Sequence, residues 1–234
     1  MGSQYIFVNM AVTLDGKIAA AGREPFSLGS EADRREMDRL RAEADIVLWG
    51  GETLRATRSS ARIRNPELTA ARASSGRPPQ PANGVITLSG NIPPSAKWFD
   101  AQDVRRFIFT GDQGAPAAEA AARGRAEVVV LGGREVTASA LLAALAKRGM
   151  ERVLLEGGGS VHWMFAREGL LDALHVTLTP WLAGGTAAPT LLDGEGFPSG
   201  SFLRLRLEEV RREGEEIFLR YRVDRPNAGN PPAR

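Results

Sequence analysis

Three apolar runs in this 234-residue chain each stop at a glycine pair. Ile46-Val47-Leu48-Trp49 runs into Gly50-Gly51-Glu52-Thr53, and Val128-Val129-Val130-Leu131 into Gly132-Gly133-Arg134. Val153-Leu154-Leu155-Glu156 runs into Gly157-Gly158-Gly159-Ser160. Short runs this apolar, closed by glycines, read as strands buried on both faces. Such strands need helices above and below them, which confines the chain to the α/β class with a mostly parallel sheet flanked by helices. Ligands in open sheets of that class sit beyond the carboxyl ends of the strands. The third turn is the most informative, because Val161, Phe165 and Ala166 begin helical spacing directly after its glycines. Glycine lets backbone approach a ligand closely, and the free N–H groups and dipole of a helix start favour an anion such as phosphate. The three ends together are expected to make one nucleotide-sized crevice. Glu156 stands just before its turn, and its carboxylate is expected to accept N–H groups of a second ligand.

The rest of the chain supplies the alternation of strand and helix. Tyr5 to Leu14 reads as a first buried strand ending in an Asp15-Gly16 turn. Ser30-Glu31-Ala32-Asp33 reads as a capped helix start, with Met37, Leu40 and Ala44 turned inward. Asp45 to Trp49 is the second strand. From Thr53 to Asn83 regular signals fade, apart from a short helix over Pro66 to Ala73. Arg55, Arg58, Arg62, Arg64, Arg72 and Arg77 stand there against Glu67, with Pro66, Pro78, Pro79 and Pro81 as breakers. A loop so long is expected to be functional or disordered. Its arginines suit phosphate contacts, although a solvated basic loop has the same composition. Further strands are expected over Gly84 to Leu88, Arg105 to Thr110, Glu127 to Leu131, Arg152 to Leu155 and Leu174 to Leu178. Helices are expected over Gln113 to Arg123, Thr137 to Arg148 and Val161 to Glu168. A closing antiparallel hairpin pairs Leu203 to Val210 with Ile217 to Val223 around Glu213-Gly214. No composition shift divides residues 1–223, which are read as one domain, and the Pro-, Asn- and Gly-rich residues 224–234 as a disordered tail.

Composition closes off several chemistries. The chain has no cysteine, which removes disulfides, thiolate metal sites and cysteine nucleophiles. Its two histidines, His162 and His175, are too few for a His-built zinc centre, and no metal site is expected. There is no Gly-x-Ser-x-Gly elbow for a hydrolase. A net charge of +2 gives no case for nucleic acid. No apolar run reaches the length of a membrane span, and the N-terminus lacks the pattern of a signal peptide, so a cytoplasmic protein is expected.

Five segments, in order, resemble one family. They are Asn9-Met10-Ala11-Val12-Thr13-Leu14-Asp15-Gly16-Lys17-Ile18-Ala19, the stretch from Leu40 through Gly50-Gly51-Glu52-Thr53, Leu154-Leu155-Glu156-Gly157-Gly158, Gly169-Leu170-Leu171-Asp172, and Pro180-Trp181-Leu182-Ala183-Gly184-Gly185. This set is similar to the C-terminal reductase domain of the riboflavin biosynthesis protein RibD, within the dihydrofolate-reductase-like superfamily, over roughly residues 5 to 223. Thr53-Leu54-Arg55-Ala56 and Arg77-Pro78-Pro79-Gln80-Pro81 look more like a side branch of pyrimidine-reductase-like proteins.

The resemblance implies a homodimeric, NADPH-dependent reductase that converts the ribosyl carbon of a ribosylamino-pyrimidine phosphate to a ribityl chain. Ala11, Ser27, Thr53 and Ser89 fall where the family touches the cofactor. Gly158, Gly159, Ser160, Val161 and His162 match its pyrophosphate turn. Arg41 falls near the substrate phosphate and Glu156 on the pyrimidine N–H edge. Gly51 and Gly132 join the cofactor set as ends of the other glycine turns, and Arg134 is expected at the 2′-phosphate. Thr57 stands where the family carries an Asp, and is counted on the cofactor side. Pro25 replaces a small polar substrate contact, and Asn9 a lysine. Hydride transfer needs no covalent nucleophile, so no catalytic side chain is singled out. Two other readings stay open: the same fold reducing dihydrofolate or another pterin, and a non-catalytic NADP-binding protein.

Overall fold

The computed structural model describes residues 4–22 and 26–224. Chain order gives β1 (Tyr5–Val12), α1 (Glu31–Glu43), β2 (Ile46–Gly50), α2 (Gly51–Thr57), α3 (Pro66–Ser74), β3 (Ala82–Ile86), β4 (Arg106–Thr110) and α4 (Ala115–Ala122). It continues with β5 (Glu127–Val130), α5 (Ala138–Ala146), β6 (Arg152–Leu155), α6 (Gly159–Arg167), β7 (Ala173–Leu178), β8 (Leu205–Glu213) and β9 (Glu216–Val223). The strands form one nine-stranded sheet in the order β5-β4-β3-β2-β6-β1-β7-β9-β8. Neighbours from β5 to β7 are parallel, and β9 and β8 add antiparallel pairs at one edge. This is a single α/β domain of the expected class.

Alternation along the central strands splits the core into two layers. Ile6, Val8, Ile46, Leu48, Val153 and Leu155 point to the face covered by α5 and α6. Phe7, Val47, Trp49 and Leu154 point to the other face, beside Leu40 and Ala44 at the α1 end. Toward the β5 edge, that second face packs Val85 and Ile108 against Leu54 of α2 and the alanines of α4. Ser30 caps α1 as its sequence indicates, its Oγ accepting from the Ala32 N–H at 3.0 Å. Glu216 on β9 accepts from both the N–H and the hydroxyl of Ser30, which pins the helix start to the sheet.

The Arg-rich segment departs from expectation. Its helix α3 is the short one expected over Pro66 to Ala73, α2 is an additional helix, and Arg72 and Arg77 serve the fold. Helix α1 ends without a glycine to close it, which leaves its last carbonyls in need of donors. Arg72 donates to Ala42 O and Ala44 O at 2.7 and 2.8 Å, and Arg77 to Ala42 O, Glu43 O and Ala44 O. Arg72 is buried, and desolvation lowers its pKa to about 10. Residues 61–65 are held by side chains that mimic backbone. Asn83 brackets Ala61, Gln80 brackets Ile63, and Asp38 accepts from the Arg64 and Asn65 N–H groups. The third strand lies two residues earlier than expected, leaving Leu88 exposed beyond it. Residues 225–234, most of the expected tail, and Pro25 lie outside the described residues.

Candidate active site

The cleft lies where the topology places β2 beside β6. Its volume is about 770 Å³, and its walls come from the carboxyl ends of β1, β2, β3 and β6. That size suits a nucleotide cofactor with a second small ligand. Gly50, Gly51 and Thr53 supply one wall, Gly157 to Val161 the facing one, and Thr87 to Ser89 the far end. Met10, Ile18, Ala19 and Phe26 close the β1 side. Loop 13–19 and loop 181–193 are zipped together behind that side. Asp15 accepts from the N–H groups of Ala183 and Gly184 and from Thr13, which lowers its pKa to about 2, and Lys17 Nζ donates to Ala188 O.

The β6 turn is built as the sequence requires. Gly157 has φ +153°, a conformation that L side chains rarely adopt, and its Cα faces the Thr53 side chain. A Cβ on Gly159 would lie 2.5 Å from Thr190 O and 2.6 Å from an Asp193 carboxylate oxygen. Glycine is therefore the residue that fits at the first position of α6. The Val161 and His162 amides of that first turn donate to Gly158 O, and those of Gly159 and Ser160 border the cleft. A pyrophosphate fits this cradle, since the strand ends carry no side chains and the helix start favours an anion. Asp193 also lines the cleft beside the helix start, its carboxylate bound to the Thr190 N–H and hydroxyl at 3.0 and 2.6 Å.

Glu156 and Arg41 come together, where the sequence reading kept them apart on two parts of one substrate. Arg41 Nε reaches Glu156 Oε1 and Nη2 reaches Oε2, both at 2.7 Å, and both side chains are 8% exposed. Arg41 Nη1 donates to Arg62 O at 2.8 Å. Arg41 does not line the cleft; Glu156 does.

Of the residues assigned to the cofactor, Thr53, Thr57, Ser89, Gly51, Gly158, Gly159, Ser160 and Val161 line the cleft. Thr57 sits at the last turn of α2, its hydroxyl donating to Thr53 O at 3.0 Å. Ala11 and Ser27 fall just outside the lining, and their neighbours Met10 and Phe26 take those places. His162 also departs from expectation: its side chain enters the core beneath the turn, with Nδ1 2.8 Å from Leu191 O. Burial lowers its pKa to about 4, so the ring is neutral. The larger correction concerns the Gly132-Gly133 turn after β5. β5 is the sheet edge, three strands from β2, so Gly132 and Arg134 stay out of the cleft, while Glu135 and Val136 line it. Among the described residues two arginines reach the cleft: Arg55, one of the segment read as suited to phosphate contacts, and Arg167, which the sequence reading leaves unassigned. Arg55 Nη1 bonds Asn91 O beside Ser89, whose hydroxyl accepts from the Asn91 N–H. Among the described residues no cluster of His, Asp or Glu could hold a metal ion, and no helix is long and apolar enough to cross a membrane.

The family model described as the RibD C-terminal domain matches residues 4–219. The 2,5-diamino-6-ribosylamino-4(3H)-pyrimidinone 5′-phosphate reductase of Archaeoglobus fulgidus is 32% identical over 222 residues, covering 94% of this chain and 99% of its own. The protein of the same name from Methanothermobacter thermautotrophicus is 33% identical, covering 94% and 98%. Among solved structures, a pyrimidine reductase-like protein from Corynebacterium diphtheriae superposes with a TM-score of 0.83 at 21% identity, covering 95% of this chain and 92% of that one. That likeness concerns the fold.

Proposed function

The chain belongs to the RibD C-terminal domain family, and from that premise we propose that it reduces 2,5-diamino-6-ribosylamino-4(3H)-pyrimidinone 5′-phosphate with NADPH in riboflavin biosynthesis. Full-length similarity to reductases of that name carries the reading. The cleft supports it, because one volume holds both a phosphate cradle and a buried carboxylate at its floor.

In this reading a bound NADPH supplies the hydride. The Gly157–Ser160 turn and Thr53 hold its pyrophosphate, and Ser89 with Arg55 holds the 2′-phosphate in place of Arg134. Met10, Ile18 and Ala19 give an apolar wall for the nicotinamide and exclude water from it. Glu156 accepts hydrogen bonds from the pyrimidine N–H edge and fixes the acceptor carbon relative to the cofactor. The same reading extends to a cytoplasmic homodimer, each chain one domain over residues 1–223. Strand β8 supports the dimer, since it is a sheet edge that exposes Leu205, Leu207 and Val210.

The test follows the absorbance of the reduced nicotinamide with three acceptors: the diaminopyrimidinone phosphate, its deaminated uracil counterpart, and dihydrofolate. Turnover of the first is expected. Turnover of dihydrofolate alone would move the chain to pterin chemistry, and tight NADPH binding without any turnover would leave a binding protein.

A further inference from the structure

We propose that Arg167 and Glu135 set which dinucleotide the cleft prefers: Arg167 favours a 2′-phosphate on the adenosine ribose, and Glu135 favours a free hydroxyl there. The proposal deepens the reading of the cleft as a nicotinamide-cofactor site and rests on it. Ser160, Trp163, Met164 and Arg167 all line the cleft, and they recur along α6 at intervals of three and four residues. They therefore share one face of the helix. That face starts at the glycine cradle and runs about 10 Å to Arg167, at the usual helical rise. A long side chain on a helix leans back toward the N-terminus, which directs the guanidinium along the groove. On the facing wall, Leu88 and Ser89 follow β3, and Glu135 and Val136 lie between β5 and α5. Met10, Ile18 and Ala19 mark the opposite end of the cleft, beside β1. A dinucleotide with its pyrophosphate in the cradle and its nicotinamide at the β1 end extends its adenosine toward Leu88, Glu135 and Arg167.

The two charged side chains at that end are held loosely. Arg167 Nη2 lies 3.9 Å from a Glu135 carboxylate oxygen, beyond hydrogen-bonding distance, and the side chains are 40% and 73% exposed. So exposed a pair is screened by water and exchanges readily for a ligand. Arg41, Arg72 and Arg77 differ, since their donors are committed to carboxylate or carbonyl oxygens. The chemistry of the pair is divided. A guanidinium offers parallel donors to a phosphate. A carboxylate accepts from ribose hydroxyls and repels a phosphate, which is how acidic side chains select NADH. Glu135 alone would therefore favour NADH. Arg167 offsets its charge and, with Arg55 on α2, presents two cations to a 2′-phosphate.

Calorimetric binding of NADPH, NADH and 2′,5′-ADP to wild type, Arg167→Ala, Glu135→Gln and the double variant tests this, and it needs no turnover. Wild type is expected to bind NADPH more tightly than NADH. Arg167→Ala should weaken NADPH and 2′,5′-ADP about 10-fold and leave NADH at least as tight as in wild type. Glu135→Gln should act in the opposite sense, tightening NADPH and weakening NADH about 3-fold each. The double variant should return the ratio of the two affinities toward that of wild type, because each change removes one of two opposed groups. Thermal midpoints should stay near wild type, both side chains being exposed. Equal loss of NADPH and NADH in Arg167→Ala would overturn the proposal by making Arg167 a contact indifferent to the 2′ position. A ratio left unmoved by either single variant overturns it as well. If wild type binds none of the three probes, the cofactor reading of the cleft fails together with the proposal; binding with an unaltered ratio fails the proposal alone.

Discussion

The glycine turns after β6 and β5 look alike in the sequence and have opposite fates. Gly157 to Gly159 are wedged between the end of β2 and the 190–193 loop, and a side chain at 159 has nowhere to go. Gly132 and Gly133 carry positive φ as well, 79° and 73°, but a Cβ on Gly132 would meet nothing within 4 Å. The motif is the same; the neighbours differ. β6 is inserted between β2 and β1, whereas β5 has a partner on one side only. A strand followed by glycines predicts a ligand turn only where the sheet order brings a second strand end against it.

Four perturbations break or sharpen that contrast. The largest concerns His162, which seats the start of α6 in the core. Its folded pKa of about 4 lies below the ordinary 6.5, so between those values the unfolded chain takes up a proton that the folded chain refuses. Its contribution is fully present above pH 6.5 and is lost as pH falls toward 4, by about 3 kcal/mol. Denaturant titrations of wild type and His162→Gln across that window should show a steeper acid loss in wild type. An undiminished slope in the variant would assign the loss to other groups. Next is Gly159→Ala, expected to destabilise by about 2 kcal/mol and to weaken NADPH, because the Thr190 carbonyl must give way. Unchanged NADPH affinity in a folded Gly159→Ala protein would remove the β6 turn from the cofactor site. The third compares two arginines. Arg55→Ala should weaken NADPH about 10-fold while leaving NADH nearly unaffected, and Arg134→Ala should change neither. The reverse result would bring the β5 edge back into the site. The smallest is Gly132→Ala, which should cost about 1 kcal/mol for its left-handed backbone and leave cofactor affinity alone. Calorimetric binding and a melting curve read both.

The elements with clear periodicity or caps were legible: the Ser30 cap, the strands and the closing hairpin. Helix α2 was hidden because Leu54 is its only apolar residue buried in the core, between two threonines and a glycine start. The role of the arginines was hidden for another reason. Composition shows cations, but not the orphan carbonyls at the end of α1 that Arg72 and Arg77 satisfy. One sign of them was present, since Ala44-Asp45 offers no glycine or asparagine to close the helix. The Arg41–Glu156 pair was illegible because it joins residues 115 apart through the sheet order. Both residues had been marked, and only topology shows that they meet.

The position of β6 also sets an order of events during synthesis. β2, β3, β4 and β5 are consecutive in the chain and adjacent in the sheet, so they can assemble as each emerges. β1, made first, has no partner among them. It waits for β6 on one flank and β7 on the other, 147 and 166 residues later in register. Pairings of that span close slowly. A chain stopped before Arg152 should hold a four-stranded unit and a loose first strand. β6 brings the missing seam, the glycine cradle and Glu156 in one step, so the joining of β1 to the β2–β5 unit and competence to bind the cofactor should arrive together.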